Sequence, residues 1–321
     1  MKKHISIMGV LLVMVCLLAA CGGGTASSSA GSASGAAASG ASGKEATLIL
    51  KNLTNPFFIS VKEGGEAAAA KYGLNLTVLA PLKADNNEEQ MQMVEQSIAR
   101  QTDILVIIPA DTNGIIPAVE KVFEANIPVV DLNTKIGGDK VMWKTFVAIE
   151  NYDGGYMAVK KLCELMGSEG EIIIIEGVVG AQTSIDRVKG AHAAIAEFPK
   201  IKIVAQQSGE YNRAKGMDVV QNLLQAHPNV KAIFCCNDEM ALGAVEAVEA
   251  AGKRGKILIA GIDANADAKQ AIKDGKMTLS LDSQPYMQGY SAVEAAAKIL
   301  SGEKVDERIV TEMAVVTKET L

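Results

Sequence analysis

The sequence predicts an α/β protein built from two similar doubly wound parallel-sheet domains, and three observations carry that prediction. From residue 44 onward, short apolar runs alternate with segments of helical spacing almost without exception. The runs are continuously apolar, as strands are when helices cover both faces of a parallel sheet. They also outnumber the strands of a usual sheet, so two sheets are expected, with the break near residues 148–153.

In chain order, the strand candidates are 46–51, 75–80, 104–108, 128–132, 145–149, 171–176, 202–206, 231–235, 256–262 and 277–281. Helical spacing marks 57–72, 88–100, 152–166 and 238–251 among the segments between them. With 321 residues, 49% of them hydrophobic, the chain exceeds one average domain and can bury sizeable cores. Aromatics are only 4%, with a single Trp, so Ala, Val, Ile, Leu and Met must build the interior. Each ring is therefore informative. A net charge of −6 without any Lys/Arg cluster beyond short pairs excludes a nucleic-acid partner, whose phosphates need a basic face.

The amino terminus reads as an export signal. Lys2 and Lys3 precede an apolar stretch from Ile5 to Leu18, which is too short to span a bilayer comfortably. Its end, Leu18-Ala19-Ala20-Cys21-Gly22, resembles the bacterial lipobox. That resemblance implies a signal peptide over residues 1–20, acylation of Cys21 with a fatty-acyl glyceride, and a membrane lipid anchor outside the cytoplasm. A plain secretory signal cut near Ala20 is the alternative. Residues 22–43 contain only Gly, Ser, Ala and one Thr, too little apolar surface to fold, and read as a flexible leash with a reach of roughly 25 Å. Beyond it, Cys163, Cys235 and Cys236 lie in apolar stretches without framework spacing and read as buried free thiols. His192 and His227 stand apart from Cys and from each other, at surface helix or loop positions rather than on zinc.

In open parallel sheets ligands bind outside the carboxyl ends of the strands. After the first strand comes Lys51-Asn52-Leu53-Thr54-Asn55-Pro56-Phe57-Phe58, in which Pro56 suits the first helical position and Asn55 the cap. Two adjacent phenylalanines cannot both face the core of one helix, which points to a ring offered to a ligand. Asn55-Pro56-Phe57-Phe58, the run from Ala226 to Phe234, Asn237-Asp238-Glu239-Met240-Ala241-Leu242-Gly243-Ala244 and Gly261-Ile262-Asp263 closely resemble the ribose- and allose-binding proteins of bacterial ABC importers. The resemblance runs from about Ala46 to Val316. It implies two α/β domains joined by a three-crossing hinge, of the periplasmic-binding-protein type I, closing on one monosaccharide. It also implies a first domain from residues 44–148 plus about 284–312, and a second from 149–283 plus about 313–321.

The same resemblance implies the site. Lys51 matches a ligand lysine of the allose type, where ribose binders have serine. Asn55, Phe57 and Phe58 match the polar and stacking residues of the first loop. Arg187 matches the arginine that grips ring hydroxyls, Tyr211 stands where the family has a stacking Phe or Trp, and Asn237 and Asp263 match further hydroxyl partners. Departures are equally specific: Ile108 stands for an asparagine, Asn133 and Thr134 replace an acidic residue and its charged neighbour, and Ser283, beside Gln284, falls where glutamine is usual. Since a site built to bond a hydroxyl rejects analogues lacking it, these changes should alter the preferred sugar.

Asp263, Asn265 and Asp267 have the spacing of a calcium loop, but Ala268 occupies the glycine position and Asp274 the glutamate position, so a ligand aspartate followed by a helix cap is preferred and no metal is expected. Nucleophile-elbow, phosphate-loop and dinucleotide motifs are absent from the sequence, arguing against an enzyme or a cofactor. A repressor of this fold class would need a helix-turn-helix where the signal and leash stand. The sequence thus predicts a monomeric binding lipoprotein for a sugar or polyol, partnered by ABC permease subunits, with presentation to a sugar-sensing receptor or kinase as the alternative.

Overall fold

The computed structural model describes residues 40–321. The signal, Cys16, Cys21 and the leash up to residue 39 lie outside the described residues. The first lobe opens with β1 (Glu45–Ile49), α1 (Pro56–Tyr72), β2 (Asn75–Leu79), α2 (Asn87–Ala99), β3 (Ile104–Ile107), α3 (Ile116–Glu124), β4 (Val129–Leu132) and β5 (Thr145–Ala148). The chain then builds α4 (Asn151–Leu165), β6 (Glu169–Glu176), α5 (Gln182–Ala196), β7 (Lys200–Ser208), α6 (Arg213–Ala226), β8 (Ala232–Cys235), α7 (Asp238–Ala250), β9 (Leu258–Ile262), α8 (Ala266–Lys273) and β10 (Leu279–Asp282). It ends with α9 (Pro285–Leu300), β11 (Arg308–Val310) and β12 (Ala314–Val316).

Two six-stranded sheets result, ordered β11-β5-β4-β3-β1-β2 and β12-β10-β9-β8-β6-β7. Every pairing is parallel except β10 with β12. The chain changes sheet three times, between β5 and α4, between β10 and α9, and between β11 and β12. In each sheet the second strand flanks the first on one side and the third on the other, so strand order reverses at β1/β3 and at β6/β8. Such reversal points open a crevice at the carboxyl ends.

The buried strands bear out the reading from continuous apolar runs. Ile172 to Ile175 in β6 are all fully buried, because helices cover both faces of their sheet; each such side chain contributes about 1.5–3 kcal/mol. Strands β11 and β12 were not legible as apolar runs. They have three residues each, and β11 is an edge strand with Arg308 and Val310 exposed. The end of the leash also departs from expectation. Ala41 is fully buried in the first-lobe core, Gly43 N–H donates to the Gly73 carbonyl at 2.8 Å, and Gly40 packs on Ser301. A small side chain fits there without voids, so composition alone underestimated how far the ordered body reaches.

Candidate functional site

The carboxyl ends of both sheets face one cavity between the lobes. It is lined by Lys51, Asn52, Asn55, Phe57, Phe58, Asp85, Asn133, Thr183, Arg187, Tyr211, Asn237 and Asp263. The first seven come from the first lobe and the last five from the second.

Local chemistry sets each of these side chains. Asn52 Oδ1 accepts from Thr54 N–H at 3.2 Å and Asn55 N–H at 2.9 Å, folding the loop after β1 into a turn. Asn55 caps α1 by accepting from Phe57 N–H at 2.9 Å, and Pro56 follows at the first helical position. Phe57 and Phe58 meet edge to face, centroids 5.2 Å apart. The premise that adjacent rings cannot both face the core does not hold: both rings are buried among first-lobe core residues, and both line the cavity. At the helix start the core and the cleft share a border, so one ring serves both.

Arg187 sits in the second turn of α5 and is 4% exposed, which excludes a surface role. Its Nε donates to Asn151 Oδ1 at 2.9 Å and its NH1 to the Cys236 carbonyl at 2.6 Å. The Gly155 Cα of α4 lies against the Arg187 carbonyl so closely that a Cβ there would collide with it. Tyr211 packs its ring on Gly177, leaving no room for a side chain, and donates its hydroxyl to Thr183 Oγ1 at 3.2 Å. Asn237 caps α7 by accepting from Met240 N–H at 3.0 Å, and its amide reaches the Tyr211 carbonyl at 3.5 Å.

Asp85, Asn133, Tyr211 and Asp263 all hold positive φ, at 58°, 59°, 54° and 130°. For residues with a Cβ this costs about 1–3 kcal/mol each, and such strain gathers at functional sites. The structure holds Asp263 in place through its N–H on the Leu281 carbonyl at 2.8 Å and through Ser283 Oγ, which donates to Asp263 Oδ1 at 3.3 Å.

Charge is concentrated here. Burial pushes Lys51 down to about 8, against the pull of Asp85 and Asp111, while Arg187 adds to the depression. Burial raises Asp85, opposed by Lys51 and the Asn52 amide. It raises Asp263 well above the usual carboxylate range, opposed by Arg187 and reinforced by Asp238. Asp238, behind the cavity, is raised by burial to about 7 even though it accepts from Ser280 Oγ at 2.6 Å and Asn265 N–H at 2.9 Å. Rings, carboxylates, amides and cations converge in a shape suited to an uncharged, polyhydroxylated ring.

Of the residues expected at the site, Lys51, Asn55, Phe57, Phe58, Asn133, Arg187, Tyr211, Asn237 and Asp263 are brought together in this cavity. Ser283 and Gln284 are not. Ser283 is fully buried behind Asp263, and Gln284, at φ 50°, precedes α9 and borders a separate outer pocket. Ile108 and Thr134 are fully buried and do not line it either. Asn52, three residues past β1, Asp85, in the loop before α2, and Thr183, in the first turn of α5, also line the cavity and were not singled out from the sequence. In the calcium-like run, Asn265 caps α8 by accepting from Ala268 N–H and the Asp267 carboxylate accepts from Arg213 at 2.9 Å, so the three side chains serve different partners. Cys163, Cys235 and Cys236 are buried free thiols. His192 is exposed and bonds Gln206, and His227 closes α6.

The model of the periplasmic binding protein domain matches residues 46–304. The ribose import binding protein of Bacillus subtilis (strain 168) is 38% identical over 262 residues, spanning 82% of this chain and 83% of that protein. A periplasmic solute-binding protein of an ABC transporter from Actinobacillus succinogenes 130z, solved with bound D-allose, is 36% identical with a TM-score of 0.82, covering 86% of this chain and 98% of that one. A solute-binding protein of an ABC transporter from Bacillus halodurans C-125, solved with bound myo-inositol, is 29% identical with a TM-score of 0.81, covering 87% of this chain and 96% of that one.

Proposed function

The chain belongs to the periplasmic binding protein family, and from that premise we propose that it captures a monosaccharide or cyclic polyol between its lobes and delivers it to an ABC importer. One observation carries the reading: three aromatic rings, a cation and a carboxylate from each lobe, and several amides face a single cavity. Sugars present C–H faces that rings cover and hydroxyl rims that amides and charged groups bond. The bound D-allose and myo-inositol of the structural neighbours support that ligand class. The lysine at position 51, which resembles that of the allose type where ribose binders have serine, favours an allose-like hexose over ribose.

A thermal-shift screen of pentoses, hexoses and inositols tests this. A ligand at a hundred times its dissociation constant adds about 2.7 kcal/mol and should raise Tm by several degrees. No rise across the panel would overturn the reading. Anchoring through an acylated Cys21 is part of the same proposal, supported by the lipobox-like run that ends there. Cys21→Ser should move the protein from the detergent phase to the aqueous phase; a signal-free variant still in the membrane fraction would refute the anchor.

A further inference from the structure

The second lobe presents a cation and a carboxylate to the cavity, Arg187 from the second turn of α5 and Asp263 from the residue after β9. The first lobe also presents a cation and a carboxylate, but from a different place. Lys51 follows β1, and Asp85 comes from the loop between β2 and α2, a position to which no site role is attached by motif or resemblance. The end of β4, where an acidic residue would be the natural partner, carries Asn133.

Asp85 is not a loop carboxylate left in solvent. Its N–H donates to the Lys51 carbonyl at 3.1 Å, folding the loop back onto the end of β1, and its φ of 58° is strained for a residue with a Cβ. Lys51 is 3% exposed. Both side chains line the same cavity, yet among the described residues neither forms a salt bridge. The ammonium has donors without a protein acceptor and the carboxylate has acceptor sites without a charged donor. Both groups keep their hydrogen-bonding capacity for something that enters between the lobes.

The chemistry of that pair restricts what can satisfy it. An ammonium only donates and a carboxylate only accepts, whereas a hydroxyl does both. Two neighbouring hydroxyls can serve the pair together, one accepting from Lys51 and the other donating to Asp85. One hydroxyl can also serve both members, whereas a carboxylate on the ligand leaves Asp85 unpaired and an amine leaves Lys51 unpaired. We propose that Asp85 is a ligand-contacting, specificity-determining residue that forms with Lys51 a subsite for ligand hydroxyl groups. This rests on the sugar-binding reading above and narrows it to rings that present uncharged hydroxyls to the end held by the first lobe.

Calorimetry on the full chain tests it, with D-ribose, D-allose and myo-inositol as probes and, for whichever binds, the deoxy analogues lacking each hydroxyl in turn. Asp85→Ala should weaken the best probe at least tenfold. It should also erase most of the wild-type preference for that probe over one particular deoxy analogue, because the hydroxyl that Asp85 reads is then without its partner. Asp85→Asn keeps the side-chain shape and guards against misfolding; it should lose less affinity than Asp85→Ala while still compressing the discrimination. If the wild type binds a probe and both variants bind it with unchanged affinity and unchanged ranking of the analogues, the subsite is wrong and the sugar-binding reading stands. If the wild type binds none of these probes or other polyols, the functional reading fails and the subsite falls with it.

Discussion

The two lobes repeat one strand order around one cavity, yet they hold their charged groups by different means. In the second lobe Arg187 is locked at Nε by Asn151 and at NH1 by the Cys236 carbonyl, and Asp263 is fixed by Ser283 and by its own N–H on Leu281. In the first lobe Lys51 projects on a four-carbon stem with no hydrogen-bond acceptor among the described residues, and Asp85 hangs on a folded-back loop. A planar guanidinium bonded on two sides has already lost its rotamer freedom. A free lysine loses up to about 2 kcal/mol of it on binding. The second lobe is therefore an anchor prepared in advance, and the first is an adaptable surface whose identity sets preference more than strength.

Arg187→Ala is expected to have the largest effect. It removes the anchor, leaves Asn151 and the Cys236 carbonyl with one partner fewer, and exposes Asp263 to its like-charged neighbour Asp238 without relief. Truncating one member of a buried charged set costs about 2–5 kcal/mol, so the best sugar should bind at least roughly thirtyfold more weakly by calorimetry. Lys51→Ala should cost clearly less. Equal losses from the two substitutions would erase the distinction between the lobes.

A pH titration of affinity sharpens it further. Lys51 is held down to about 8 chiefly by burial and by Arg187, with Asp85 and Asp111 pulling the other way, and Asp263 faces the same cavity. Its charge is therefore present below that value and lost as pH rises through it. Binding that uses the ammonium should weaken by severalfold between about pH 7 and pH 9. Lys51→Arg, charged throughout, should flatten that change, whereas a profile unaffected by the substitution would remove Lys51 from the contact set.

Tyr211→Phe should have the smallest effect. The ring stays on Gly177 and only the hydroxyl bond to Thr183 is lost, a change of about 0.5–1.5 kcal/mol and at most roughly tenfold in affinity. A larger loss would mean that the Tyr211 hydroxyl touches the ligand directly.

How much was legible in advance differs by residue in a way that follows from physics. Asn237 and Asp263 sit within two residues of strand ends and Asn55 within six, and the rule that parallel sheets bind ligands at their carboxyl edge finds such positions from the sequence. Arg187 is harder. Its burial depends on α4 and α5 crossing at Gly155, a contact between segments that no local pattern encodes. Asp85 stands in a polar loop whose composition matches any solvated turn, and only the fold-back onto Lys51 reveals that it faces inward. Gln284 lines a neighbouring pocket beside Phe57 and Asp263, because at a helix start one residue's shift changes the direction of a side chain. The strands β11 and β12, with three residues each, are too short for an apolar run to stand out.

Helix α9 has a consequence for how the protein comes into being. It covers the first sheet and packs against α1 so tightly that Gly64 and Gly289 meet the opposing backbone, yet it is encoded after nearly the whole second lobe. At translation speeds of about 5–20 residues per second, α1 waits on the order of ten seconds or more for its partner. Through that interval the α1 side of the sheet keeps an apolar face uncovered, and the nascent first lobe cannot close its core. A chain that must cross a membrane before folding gains from that delay, since the segment made first is the one least able to fold before the rest has followed.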